Sequence, residues 1–332
     1  MMFLNNSMIP IKGKFVTISI LLFLLFVVSC FGSMAQRVYH PKTMKFSTLS
    51  FGLGSSHFYG DIGSSNLLKS VRWNINFAYT YTLSSKIQIG LSAAYIRLAG
   101  DDFYSNNDID FIRNLHFRND LKQLSTFIEY YPLNYTTDFR KRLNLSPYIL
   151  GGIGYYFHNP QAKFSSNLGT KEWIDLEPYH TEGQGLNSIY PEPYKLSGIT
   201  IPVGIGIRYR YNRVIDFSFE MKYHFLFTDY IDDVSGTYPN TVLFTNKTGV
   251  ELSNRSRDQI AANTGLDRSE RVIKYLTNNN LPSVFPFNST SPAFGAIGTN
   301  RGSTSGNDAY VTTSLKVQFI IPEKKIRCPK LN

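Results

Sequence analysis

Val214-Ile215-Asp216-Phe217-Ser218-Phe219-Glu220-Met221-Lys222-Tyr223-His224-Phe225-Leu226-Phe227 is the clearest strand pattern in this 332-residue chain. Phe217, Phe219, Met221, Tyr223, Phe225 and Phe227 occupy one parity, and Asp216, Ser218, Glu220, Lys222 and His224 the other. A period of two belongs to a β-strand whose successive side chains point to opposite faces. In a soluble sandwich the oily face points inward. In a membrane barrel the faces are exchanged, so alternation alone does not choose between them.

The pattern recurs along the chain. Val71 to Tyr81 sets Val71, Trp73, Ile75, Phe77, Tyr79 and Tyr81 against Arg72, Asn74, Asn76 and Thr80. Similar segments run over Met44 to Leu53, Ile87 to Tyr95, Leu145 to Phe157, Ile199 to Tyr211 and Val311 to Ile321, with a weaker one over Leu121 to Tyr131. The strand count is about eight. The connections then alternate: short at 82–86, 132–144 and 212–214, long at 55–70, 99–120, 159–197 and 228–308. Outer-membrane barrels sort their loops this way, with short periplasmic turns and long external loops, whereas a soluble sandwich has no reason to. The expected fold is an all-β, closed antiparallel transmembrane barrel of about eight strands. Tyrosines at strand ends, among them Tyr79, Tyr81, Tyr130, Tyr131, Tyr209 and Tyr211, suit interface girdles.

The amino-terminal residues read as an export signal. Lys12 and Lys14 precede the apolar run Ile18 to Val28, and Ser33-Met34-Ala35 offers a small-x-small cleavage site before Gln36. Domains are therefore expected as a signal peptide over 1–35 and a barrel over 36–332, the latter with an external loop over 228–308 and a periplasmic tail over 322–332. Two alternatives are a retained anchor and lipidation of Cys30 within Val27-Val28-Ser29-Cys30. No later stretch is apolar for about 18 residues, which excludes a helical membrane protein once the signal is gone.

Removing Lys12 and Lys14 lowers the net charge from +10 to +8. That moderate excess fits contact with lipopolysaccharide phosphates in the outer-membrane lipid. Nothing resembles a nucleic-acid-binding stripe.

Closure is required because an open strand edge in lipid leaves backbone groups unsatisfied, at several kcal/mol each. Eight strands leave a lumen filled by side chains, so no open pore is expected. Lumen charges must then be paired. With a three-residue turn at 212–214, Arg210 faces Asp216 and Arg208 lies diagonal to Glu220, while Gly204 and Gly206 leave room opposite Lys222 and Glu220. This register predicts a lumen charge network of Arg208, Arg210, Asp216, Glu220 and Lys222.

The last external loop is too long to be a mere connection. Ser256 to Leu276 has helical character, with Ser269 placed to cap a turn containing Val272, Ile273 and Leu276. The aspartates of 228–238 lack regular calcium-ligand spacing and suit hydrogen bonds that order the loop. The chain carries no G-x-S-x-G, H-E-x-x-H, paired C-x-x-C or phosphate-binding glycine loop, so neither an enzyme nor a cofactor is indicated. His224 with Glu220 is the one pair a lipid-modifying enzyme would use, and it reads more simply as a satisfied lumen histidine.

Phe58-Tyr59-Gly60-Asp61-Ile62-Gly63, Ala99-Gly100-Asp101-Asp102, Phe127-Ile128-Glu129-Tyr130, Pro147 to Gly154, Thr228 to Tyr238 and Arg327-Cys328-Pro329 follow one another in an order with a known counterpart. Together they resemble a Bacteroidetes outer-membrane barrel family, the one that includes PorG of the type IX secretion and gliding machinery. Asp232-Asp233-Val234-Ser235-Gly236-Thr237-Tyr238 is the most specific part. The resemblance implies a non-enzymatic barrel whose periplasmic side docks the ring and lipoprotein subunits of a secretion apparatus. The tail Glu323 to Lys330 fits that implication: Lys324, Lys325 and Arg327 make it basic, and Cys328, the lone cysteine after Ala35, is available for a disulfide to a partner. The alternative is a surface module that binds ligand or host through the long loops.

Overall fold

A computed structural model describes residues 45–63, 67–133, 138–165, 171–280, 295–303 and 306–323. Residues 1–35, expected as a signal peptide, with Cys30, and Lys324, Lys325, Arg327 and Cys328 lie outside the described residues. No helix among the described residues is long and apolar enough to cross a membrane.

Eight strands form the barrel: β1 (Phe46–Tyr59), β2 (Arg72–Thr82), β3 (Ile87–Asp101), β4 (His116–Tyr130), β5 (Leu145–Phe157), β8 (Ser197–Arg210), β9 (Ile215–Leu226) and β10 (Ala309–Pro322). The remaining two, β6 (Pro160–Ser165) and β7 (Lys171–Asp175), make a hairpin inside the third long connection. Every barrel strand pairs antiparallel with its neighbour in the chain, and β1 pairs β10 from Phe46↔Pro322 to Tyr59↔Ala309. The sheet therefore has no free edge among the eight, which is what a lipid environment demands of a strand-built span.

The packing is inside out. Leu49, Phe77, Leu91, Leu124, Ile153, Ile205, Phe219 and Leu315 stand exposed on the outer wall, Leu124 at 65% and Leu315 at 69%. Asn76, Gln88, Gln123, Glu129, Arg208, Glu220, His224 and Lys316 are buried within. Water would expel such an apolar wall, at roughly 25 cal/mol per Å². Hydrocarbon does not.

Two strands run further than their hydrophobic pattern. The β3–β4 ladder continues beyond Tyr95 through Arg97↔Asp120 to Asp101↔His116. Arg97 and Asp120 face outward there and form a bidentate pair at 2.6 and 2.7 Å. Backbone pairing persists after the wall leaves the lipid, while the oily parity stops. The weak periodicity of 121–131 has a local cause as well. Phe127 turns inward with Gln123 and Glu129 because Gly90 stands opposite it; a Cβ at Gly90 would lie 2.4 Å from the Phe127 ring.

Helical structure over 256–276 begins later than its sequence suggests, at Ser269–Asn278. The Arg268 guanidinium donates to the carbonyls of Ser256, Asp258, Phe111 and Ile112, which holds 256–268 as irregular chain against a neighbouring loop. Ser269 is the first helical residue and not the cap; its backbone N–H and hydroxyl both donate to Asp267. Val272 and Leu276 pack on Phe111 and Ile112 of the short helix Asp108–Arg113, while Ile273 points outward.

Candidate functional site

The lumen is closed by apolar layers at both ends. Phe46, Tyr131, Tyr148, Leu150 and Ile320 form a cluster at the short-turn end. At the long-loop end Phe58, Ile96, Phe117, Leu121, Tyr156, Leu226 and Tyr310 pack with Ile62, Ile231 and Val234, which the loops insert into the barrel mouth. Between them lies the charged layer. Glu220 accepts from Lys316 at 2.6 Å, from Lys222 at 3.0 Å and from the Tyr148 hydroxyl at 3.0 Å. Arg208 donates to Glu129 at 3.0 Å and to Gln88 at 3.3 Å, its guanidinium over the Tyr131 ring. Asp216 accepts from Arg142 at 2.8 Å. A cavity of about 10 Å³ remains beside Asn76, Gln123, Glu220, Lys222 and Lys316, room for about one water. It is not a channel.

Of the five network residues, Arg208, Asp216, Glu220 and Lys222 face the lumen, but with different partners. Arg210 is opposite Asp216 in register. Its guanidinium turns instead to the rim, donating to the Arg142 carbonyl and to Asn144 at 2.7 Å. Arg142 displaces it, reaching into the barrel from the 131–144 connection, where its end-on approach keeps both guanidinium and Asp216 dry. Arg208 lies opposite Ser218 and reaches across to β4 in place of the diagonal Glu220. Glu129 and Lys316 were legible by parity, as inward positions of β4 and β10; Arg142, in a turn, gave no such signal.

Gly204 and Gly206 do stand opposite Lys222 and Glu220. The space at Gly206 is filled by Tyr148, whose ring carbon would lie 2.2 Å from a Cβ there. His224 is buried, bonded to Thr312 at 3.0 Å and stacked on Tyr310 at 4.2 Å, beneath the apolar lid. Both partners, Thr312 and Tyr310, are themselves buried in the lumen.

The four long connections are locked into one cap. Arg113 donates to both oxygens of Asp102 at 2.8 Å, to the Asp61 carbonyl at 2.6 Å and to the Arg301 carbonyl at 2.8 Å. Arg301 donates to Glu182 at 3.1 Å and to the Asp233 carbonyl at 2.7 Å. Glu182 also accepts the N–H groups of Ser235 and Gly236. The 228–238 motif supplies the pivot. Asp232 accepts from the N–H groups of Ile62 and Val234, at 2.8 and 3.0 Å. Asp233, at φ +69°, accepts from Thr181 and Tyr194. A left-handed aspartate is uncommon, and these bonds hold it. Asp308 accepts from Ile231 N–H at 2.8 Å.

These carboxyls are shifted by their surroundings. Burial, then the neighbouring Asp232, pushes Asp308 up to about 10. Burial also holds Asp232 well above the carboxylate range, and raises Asp233 to about 6 against the opposing pull of Arg301. Most aspartate oxygens of the motif are occupied by N–H and O–H donors. Among the described residues no group of three or more His, Cys, Asp or Glu is arranged to hold a metal ion.

The chain is similar in part to known proteins. Residues 22–172 match a family described as "Domain of unknown function (DUF6089)". The match takes in less than half of the chain. No curated protein matches it in sequence. Among solved structures, the chain is similar to the attachment invasion locus protein Ail of Yersinia pestis, at 12% identity and a TM-score of 0.34, covering 84% of this chain and 100% of that one. Neisserial surface protein A is similar at 8% identity and a TM-score of 0.35, covering 82% and 96%. The outer membrane protein OprG of Pseudomonas aeruginosa is similar at 11% identity and a TM-score of 0.27, covering 84% and 95%.

Proposed function

We propose that the chain resides in a bacterial outer membrane and acts there as a non-enzymatic structural component of a type IX protein secretion apparatus, docking periplasmic ring and lipoprotein subunits through its short-turn face. The observation that carries the structural role is the sealed, inside-out barrel: an apolar wall meets lipid, the lumen is filled, and work must be done at the ends. The sequence resemblance supports the secretion assignment, and its most specific stretch, 232–238, is the pivot of the cap. The test is deletion of the gene followed by measurement of cargo in the medium. Secretion should fall in the deletion strain and return with the full chain; undiminished secretion would contradict the role.

A second reading is favoured by the cap itself. Four long connections fixed by buried ion pairs make an ordered external surface, the requirement for binding a ligand or host molecule. Complementation with a chain lacking 241–302 separates the two. Restored secretion supports the structural role; loss of surface binding with the barrel intact supports the second.

A further inference from the structure

We infer that the short-turn face is an electrostatic docking surface for an acidic protein segment; the inference rests on the structural role above and specifies its partner's chemistry. Charge in this chain is sorted along the barrel axis. The short connections 83–86, 131–144 and 211–214 hold five cations, Lys86, Arg140, Lys141, Arg142 and Arg213, against Asp138 alone, a net +4. The long connections 60–71, 102–115, 158–196 and 227–308 hold 12 cations and 17 carboxylates, a net −5.

Not all of the basic charge is available. Arg142 is spent inside on Asp216, and Arg140 pairs with Asp138 while its side chain is still 53% exposed. Lys141 and Arg213 are exposed and Lys86 is half-buried. Exposed apolar side chains interleave with them: Leu133, Leu143, Tyr211 and Val214. Cations set among exposed apolar groups are characteristic of recognition surfaces, where charge steers the encounter and apolar contact holds it.

Position favours a protein over lipid headgroups. The β8–β9 ladder ends at Arg210↔Asp216, and Arg213 lies in the turn beyond it, which the Asn212 side chain closes by accepting the N–H groups of Val214 and Ile215. Arg140 and Lys141 likewise stand in a connection past the end of β4. Residues at turn tips are the furthest along the axis from the lipid-facing wall, and headgroups are met by strand-end residues before them. Within a Debye length of about 8 Å the clustered cations add their fields, and carboxylates respond to that sum.

The experiment uses the full chain in its own membrane, with a benzophenone amino acid replacing the exposed Leu143 and the photoadduct sequenced by mass spectrometry. The expected adduct is a peptide of net negative charge. Its yield should fall about tenfold in K86Q/R140Q/K141Q/R213Q and on washing with about 0.5 M salt. Neutralising three cations of the other end, K69Q/K247Q/K274Q, should leave the yield unchanged. A heat-modifiable gel band reports that each variant remains a folded barrel. An adduct to lipid only, to a neutral or basic peptide, no adduct, or a yield indifferent to the quadruple variant overturns the inference. The deletion strain separates this failure from that of the parent reading. A secretion defect there, with charge-independent adducts, retires the acidic partner alone, whereas normal secretion retires the structural role.

Discussion

Replacing Glu220 by Ala should strongly destabilise the barrel, because it strips two lysines of their shared partner. The carboxylate sits between Lys316 and Lys222, at 2.6 and 3.0 Å, and is 1% exposed. Its removal leaves Lys316, itself 4% exposed, with no opposite charge at that distance. Breaking a buried pair by removing one partner costs roughly 3–5 kcal/mol, and the Tyr148 hydroxyl loses its acceptor, worth about 1–3 kcal/mol more if it stays dry. The loss expected for E220A is therefore about 4–8 kcal/mol, toward the lower end where water enters the vacated space. E220M/K222M/K316M removes all three charges and keeps much of the volume, so it should recover most of the loss. The assay is urea unfolding of the protein reconstituted in lipid vesicles, followed by the fluorescence of Trp73, which lies on the outer wall. E220A within about 0.5 kcal/mol of the parent, or a triple variant as unstable as E220A, would show that the buried charges of this layer do not depend on one another.

Three further outcomes follow from the cap and the strand packing. R301A should loosen the cap and not the barrel, because it strips Glu182 and the Asp233 carbonyl of a shared donor; hydrogen exchange should speed up in 228–238 and remain slow in the strands. The Asp308 carboxyl, raised to about 10 from 3.8, binds a proton in the closed cap that it gives up in the opened one. Its contribution is therefore full below 3.8, declines as pH rises, and is lost above about 10. Cap protease resistance should fall over that interval, and D308N should flatten the dependence. G206V should destabilise by about 1–3 kcal/mol, since Tyr148 occupies the space its side chain needs; denaturant midpoints of the parent, G206V and G206V/Y148A check it, with partial recovery expected in the last.

The barrel was readable because its physics is local. Alternation in 214–227 and the short-long sequence of connections require only nearest-neighbour geometry, and β5 ends at the two residues its pattern marks, Leu145 and Phe157. Where side chains act across the lumen, that locality fails. Arg208 and Asp216 were recognisable as inward charges, but their partners, Glu129 and Arg142, depend on how far a strand's opposite wall lies and on which turn folds inward. The cap was less legible still. Arg113 and Arg301 are 188 residues apart and meet through one carbonyl, and Arg268 suppresses helix in a segment whose periodicity favours it. The β6–β7 hairpin has the same character: Trp173 rests against Arg118 and Lys163, contacts that only the folded loops create.

The oily parity of each strand meets hydrocarbon and the polar parity lines a sealed interior. The most direct test of this is a nitroxide scan of Phe217, Ser218, Phe219, Met221 and Tyr223 in vesicles, reading collision with oxygen against a water-soluble nickel chelate. High oxygen access at Phe217, Phe219, Met221 and Tyr223, with little access of either reagent at Ser218, is the predicted result. Protection of the four apolar positions with chelate access at Ser218 would mean that the faces are the other way round.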